Sequence, residues 1–355
     1  MVEFGLDTFM PVTDDGQGQA VRGDQVVRNI IEEAVLAEAV GIDSFNIGEH
    51  YRPEYMDSAN HVVLAAIAGR TERIRLGTAV TVLSTQDPVR VYTDFATLDA
   101  VSNGRAQLIV GRGSATDSFP LFGFDLVDYE ELFEEKLDLL VRLLREQPVS
   151  WSGSFRSSLT DQYVSPPLPS GHLPTWVGVG GSPNSVVRAA RYGLPLMLAV
   201  IGGRPERFAP HVELYKRALE QLRQPELPVG LHSLGFVAAT DDEAIEIQWP
   251  YYQEQFESAA QERGWRPPTY EQFLYEVDQG SLYVGSPEKV ANRIASVIDT
   301  LSLSRFHLHY AIGRVPHEQR MAMIELYGRE VIPRVRELLE ATPIRIDVPA
   351  LGARA

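Results

Sequence analysis

The chain has 355 residues, 44% of them hydrophobic, enough for a substantial core, and it contains no cysteine. Its formal net charge of −16 argues against a general binder of nucleic acid or acidic membrane. The missing thiols exclude disulfides, thiolate catalysis and zinc–cysteine sites.

Taken in chain order, short apolar runs alternate with helical patterns. VEFGLDTF (2–9) reads as a strand and 24–40 as a helix; IDSFNIG (42–48) and 60–70 repeat the pair. RIRLGTAVTVL (73–83) precedes a helix at 88–101, RAQLIVG (105–111) one at 128–147, and TWVGVG (175–180) one at 183–192. LPLMLAV (194–200) precedes 205–223, PVGLHSLGFVAA (228–239) precedes 286–301, and RFHLHYAI (305–312) precedes 317–340. Ser182-Pro183 and Ser286-Pro287 are N-cap and first-turn signals. Gly41, Gly104 and Gly193 stand where a left-handed residue ends a helix.

Eight strands alternating with eight helices predict an α/β fold, a single (β/α)8 TIM-like barrel over 1–340 with a C-terminal tail at 341–355. A doubly wound sheet with an added lobe is the alternative. The strands are expected to lack strict polar alternation, as parallel strands buried on both faces do. Insertions are expected on the βα side or the rim: a hairpin and proline-rich loop near 148–174, and an aromatic helical segment near 241–281. The N-terminal MVEFGLDTF lacks the pattern of a signal peptide. LPLMLAVI (194–201) is far too short to span a bilayer, so a cytoplasmic protein is expected.

In such a barrel the chemistry sits at the C-terminal ends of the strands. The second strand ends in Glu49-His50-Tyr51, an acid, an imidazole and a phenol that a packed strand does not need. His50 reads either as a general acid–base group or as a hydrogen-bonded structural histidine; Glu49 before it adds weight to the first. The fourth strand ends in Gly111-Arg112-Gly113-Ser114, and the fifth in a glycine turn that opens a helix, GVGGSPNS (178–185). Glycines let backbone approach an anion, helix amides point at it, and Ser182 and Ser185 add hydroxyl donors. A serine-capped glycine turn is also a common structural device; Arg112 nearby tips the reading toward a phosphate. Pro183 stands where the third glycine of a dinucleotide fingerprint belongs, and no GK[ST] motif exists. His307 and His309, two apart on one strand, could suggest a metal, yet no HExxH occurs and the first strand carries no HxH. No metal site is expected.

Together these segments resemble the bacterial-luciferase-like monooxygenase family. The most specific block is RIRLGTAVTVLSTQDPVRVYTDFATLDAVSNGRAQLIVGRGS (73–114); AEAVGIDSFNIGEHY (37–51), PTWVGVGGSPNSVVRAARYGLPLML (174–198) and YVGSPEKVANRI (283–294) add to it. The resemblance implies a barrel that binds reduced FMN, with the phosphate near Arg112, Gly180, Gly181, Ser182 and Ser185. It implies a non-proline cis peptide at Ala79–Val80 under the flavin ring, with Gly111 beside it. His50 falls at the family's catalytic histidine. The implied reaction is oxidation of a small organic substrate by oxygen and reduced flavin. A homo-oligomer, a dimer, is expected. Because no strand–GxGxxG–helix unit occurs, a separate flavin reductase is expected to supply the reduced flavin. The sequence departs from luciferases proper in having Gly111 where they carry a reactive cysteine. It also has Glu130 where they place a second phosphate-binding arginine. An F420-dependent hydride-transfer enzyme, a non-catalytic flavin-binding protein and a metal-dependent hydrolase are the competing readings. The substrate cavity is expected among loops 10–23, 51–58 and 113–124 and the segment 241–281.

Overall fold

The structure is a computed structural model that describes residues 2–341 apart from 114, 170, 264 and 265, and not the side chains of 258, 259 and 261–263. The expected tail thus lies, from residue 342 on, outside the described residues, as does Ser114. Its elements are β1 (Glu3–Thr8), α1 (Gly23–Ala39), β2 (Ser44–Ile47), α2 (Asn60–Ala68), β3 (Arg75–Thr78), β4 (Thr81–Val82), α3 (Pro88–Val101), β5 (Leu108–Gly111), α4 (Ser118–Phe122) and α5 (Tyr129–Arg145). Then come β6 (Val149–Trp151), β7 (Leu159–Gln162), β8 (Thr175–Val179), α6 (Pro183–Tyr192), β9 (Leu196–Ala199), α7 (Ala209–Gln221) and β10 (Val229–Val237). The chain finishes with α8 (Asp241–Arg263), α9 (Tyr270–Asp278), β11 (Tyr283–Gly285), α10 (Pro287–Leu301), β12 (Arg305–His309), α11 (His317–Leu326) and α12 (Ile332–Ala341).

The strands pair in the order β3-β2-β1-β12-β10-β9-β8-β5-β4, every contact parallel. β3 and β4 are two halves of one stave, so the ring nearly closes as an eight-stave α/β barrel. The sequence reading gave 73–83 as one strand. The structure breaks it at the cis Ala79–Val80 peptide, after which pairing passes from β2 to β5. β11, which the sequence reading missed, adds outside the ring to the end of β10.

Helix starts follow their local chemistry. Asp87 accepts hydrogen bonds from Val89 N and Arg90 N ahead of Pro88, satisfying amides that an α-helix leaves open. Thr269 and Gln272 form a capping box. Gly41, Gly104 and Gly193 all take positive φ, as expected.

The expectation of unpatterned strands holds for β5 (LIVG) and β9 (LMLA) but fails for three others. β2 (SFNI) and β12 (RFHLH) alternate strictly, and β1 (EFGLDT) does so from Glu3 to Asp7. Phe4, Leu6, Phe45, Ile47, Phe306 and Leu308 join the main apolar core, each burial contributing roughly 1.5–3 kcal/mol. Their polar neighbours fill half of the barrel lumen with a hydrogen-bonded network. Arg305 donates to Glu3 (2.8 Å), Ser44 meets His307 (3.2 Å), Gln107 donates to Asn46 (2.8 Å), and Asn46 donates to Asp7 (2.8 Å). Gly5 makes room for this layer, since a Cβ there would lie 2.6 Å from the His307 ring. Ile109, Trp176, Met197 and Val80 form a separate apolar cluster, with Arg305 stacked 4.1 Å over Trp176. Every residue of this network has a partner, although Glu3 Oε1, Gln107 Oε1 and Arg305 Nε and Nη1 are buried without one.

The two insertions differ. β6 and β7 form the expected hairpin, but it is an αβ connection lying along the outside of α5. Trp151 Nε1 donates to Asp138 (2.9 Å) and Arg156 Nε to Asp87 (2.7 Å). It therefore belongs to the rim and not to the βα loops. Segment 241–281 is a βα insertion, as expected, made of α8 and α9. No helix among the described residues is long and apolar enough to cross a membrane.

Candidate functional site

The strand ends bring His50, Val80, Gly111 and Gly180 around one mouth. His50 follows β2. Its Nδ1 meets Asp57 Oδ2 at 2.9 Å and its backbone N donates to Asp57 Oδ1 at 3.0 Å. Asp57 is fully buried, and burial raises its carboxyl above the usual range, partly offset by the His50 bonds. Nδ1 is thereby committed, and Nε2 remains the ring nitrogen of a side chain that keeps 14% exposure. Phe9 and Tyr55 flank the imidazole at ring-centroid distances of 4.5 and 4.8 Å. An imidazole oriented by a buried carboxylate can take or give a proton at Nε2.

Glu49 stands differently. One oxygen accepts from Tyr51 OH (2.7 Å) and Gln86 Nε2 (2.6 Å), and the other accepts from Val82 N (2.8 Å). Both oxygens are thus committed to protein donors, and burial raises the carboxyl above its ordinary range. The bond to Val82 ties the end of β2 to β4, so Glu49 holds the backbone that follows Ala79–Val80. Its geometry is that of a positioning residue.

Val80 reaches under two glycines. A Cβ at Gly111 would lie 2.6 Å from Val80 Cγ2, and one at Gly178 would lie 3.0 Å from Cγ1. Any side chain at 111, a cysteine included, would collide with Val80 as it sits here. Ala79, Val80, Gly178, Ala199 and His232 all keep partial exposure although they lie on staves, so the lumen is open from the top down to this level. At its floor Asp7 meets His232 Nδ1 (2.5 Å) and His307 Nδ1 (3.0 Å). Burial would raise Asp7, but the His307 and His232 imidazoles outweigh it and hold the carboxyl far below the usual range. His309, also buried here, is pushed down to about 3 by desolvation. His307 is thus engaged by Asp7 and Ser44, whereas His309 Nδ1 is buried without a hydrogen-bond partner.

On the opposite side of the mouth is a cationic corner. Arg112 bonds Glu130, and Arg188 of α6 donates to the same carboxylate at 2.9 Å and to Glu134 at 2.6 Å. Ser182 caps α6 without a side-chain capping bond, and Gly180 has no atom within 4 Å of a Cβ position. Ser185 Oγ and Arg188 Nη1 are buried without a hydrogen-bond partner. These orphan donors, a helix start and two guanidiniums converge as a phosphate would require. Gly181, with φ +110°, accepts from His211 through its carbonyl (2.8 Å).

A cleft of about 440 Å³ lies between Pro11, Val12, Tyr55, Gln255 and Gly313, among three of the expected wall segments. Aromatic side chains of the wall segments pack in different ways. Tyr252 packs on Phe256 and Phe273 at 4.4 and 5.1 Å, making the insertion's own core. Phe119 is fully buried against Tyr129. Phe122, by contrast, stays exposed with its ring against Tyr51.

Sequence reading missed Asp57, Asp7, His232 and Arg188. Only Arg188 carried a signal, standing three residues after Ser185 on the same helix face. Asp57 is a loop residue with no spacing rule to betray it.

Comparison with known proteins agrees with this geometry. The alkanal monooxygenase alpha chain of Photorhabdus luminescens is 24% identical over 88% of this chain and 93% of its own length. The F420-dependent glucose-6-phosphate dehydrogenase of Amycolatopsis mediterranei is 28% identical over 68% of this chain and 70% of its own. The oxygenating constituent of 3,6-diketocamphane monooxygenase from Pseudomonas putida, solved in complex with FMN, shares the fold. Its TM-score is 0.75 at 21% identity, covering 94% of this chain and 99% of that one. Residues 3–304 match the luciferase-like monooxygenase family, so the chain belongs to that family of oxidoreductases.

Proposed function

We propose that this protein is a monooxygenase that binds reduced FMN and oxidises a small organic substrate with oxygen. The observation that carries the reading is the cationic corner. Arg112, Arg188, the start of α6 and the orphaned Ser185 Oγ would hold the phosphate, while Val80 between Gly111 and Gly178 would support the ring. Bound there, the flavin supplies the two-electron reaction with oxygen. His50 Nε2, its ring fixed through Nδ1 by Asp57, exchanges a proton at the cavity wall. Glu49 keeps the Val82 backbone in place.

Reduced flavin comes from a separate reductase in this reading, supported by the lack of any strand–GxGxxG–helix unit with an acidic ribose partner. The cysteine-free sequence fits a reducing cytoplasm, and a homodimer is the assembly proposed. The F420-dependent relative supports a second reading, hydride transfer with a deazaflavin.

Mixing the protein with oxidised FMN and with F420 separates the two by absorbance and fluorescence. Substrate oxidation is expected only when FMNH2 is supplied chemically or by an added reductase. Rapid flavin bleaching by NADH or NADPH alone would overturn the two-component reading, and F420 binding without FMN binding would overturn the cofactor.

A further inference from the structure

The cationic corner contains two carboxylates, Glu130 and Glu134, which do not suit an anion site. Glu130, at the start of α5, lies between Arg112 and Arg188 and bonds both. Two guanidiniums thus share one carboxylate. The Arg188 side chain is only 10% exposed and its Nη1 has no hydrogen-bond partner. Ser185 Oγ, on the same face of α6, is also buried and unpartnered. Buried donors without acceptors are uncommon and mark a missing partner. Glu130, in contrast, keeps 53% of its side chain exposed.

We propose that Glu130 is a displaceable internal counter-ion, and that Arg112, Arg188 and Ser185 form a site selective for a terminal phosphate monoester over a phosphodiester. The proposal rests on the flavin reading above and deepens it. A half-exposed carboxylate can rotate into water at little cost. Arg188 does not lose its anchorage when that happens, because Glu134 still accepts from its Nε at 2.6 Å. Glu134 is itself held by Tyr192 OH (2.7 Å) and Arg191.

The exchange is then an electrostatic comparison. A phosphate monoester brings about −1.5 to −2 charges at neutral pH and three terminal oxygens. It replaces a single negative charge between two arginines and reaches both orphan donors. A phosphodiester brings one charge and two free oxygens, so it exchanges like for like and leaves a donor unmet. FMN ends in a monoester, whereas F420 carries a diester. Glu130 therefore acts as a threshold that the dianion passes more readily than the monoanion.

Binding of oxidised FMN, riboflavin and F420 is measured by fluorescence titration in phosphate-free buffer. Wild type, Glu130→Gln and Arg188→Gln are compared. Wild type should prefer FMN to both other ligands. Glu130→Gln should tighten FMN by roughly threefold to tenfold and leave riboflavin unchanged. Arg188→Gln should weaken FMN by roughly tenfold or more, again without effect on riboflavin. Unchanged or weaker FMN binding by Glu130→Gln would make Glu130 a structural brace and overturn the proposal while leaving the flavin reading intact. Equal affinity of wild type for FMN and F420 would overturn the selectivity in the same way. Riboflavin binding as tightly as FMN would overturn the proposal together with the phosphate site itself.

Discussion

Replacing Asp7 by Asn tests whether the polar half of the lumen stabilises the barrel. Asp7 is fully buried and receives Asn46 Nδ2 (2.8 Å), His232 Nδ1 (2.5 Å) and His307 Nδ1 (3.0 Å). Each charge-assisted bond contributes about 1.5–3 kcal/mol, set against several kcal/mol of desolvation. Asn keeps the shape but removes the charge and turns an NH2 toward an imidazole. Removing one partner of a buried pair costs about 3–5 kcal/mol, and that is the loss expected at pH 7. Urea unfolding followed by tryptophan fluorescence measures it, with Trp176 reporting from the lumen.

The pH dependence has a definite sign. The folded-state pKa of Asp7 lies below its unfolded value. Its contribution is therefore complete above about pH 4 and is lost as pH falls toward the folded value. The gap between wild type and Asp7→Asn should narrow by about 1.4 kcal/mol per unit below that point. A variant within about 1 kcal/mol of wild type at pH 7, or a gap that widens in acid, would refute this account.

Three further outcomes follow from the site. His50→Gln should lower FMNH2-dependent oxidation by about 10²–10⁴-fold, with FMN affinity and melting temperature near wild type; a variant that fails to fold would assign His50 a structural role. Arg112→Ala should weaken FMN by about 10- to 100-fold in titration and leave riboflavin unaltered, and equal losses would remove Arg112 from the phosphate. Glu49→Ala should lower stability by about 1–3 kcal/mol in urea unfolding, because Val82 N and Gln86 lose their acceptor. A wild-type melting curve with turnover abolished would instead return Glu49 to a catalytic role.

The strand ends were legible because apolar runs that stop at Glu49-His50 or Gly111-Arg112 carry side chains a core does not require. The barrel followed from the alternation of elements. The lumen was present in the letters EFGLDT, SFNI and RFHLH, but the expectation of doubly buried strands hid it. A parallel strand can alternate when the inside of its barrel is polar and hydrogen-bonded. The break in 73–83 had no strong composition signal, since Thr78 and Val80 suit a strand and Ala79 is only mildly disfavoured there. Pairings such as His50 with Asp57 and Arg188 with Glu130 depend on how loops and neighbouring helices meet, and no sequence period reports that. The hairpin was placed on the βα side or the rim without a choice between them, because connectivity gives its two ends but not the face of α5 along which it climbs.

The segment comprising α8 and α9 forms one wall of the mouth. Gln248 donates to the carbonyl of Ile312, and Arg314 joins Glu254 of α8 to Asp14 of the first loop. This wall borders β10, β12 and β1, across the ring from β5 and β8, which carry the cationic corner. In the proposed reading, cofactor grip and substrate fit would thus be written in separate stretches of chain. Duplication and drift within 241–281 could recast what the cavity accepts while the phosphate end stayed fixed. One scaffold could then spread over many substrates by exchanging a single cassette.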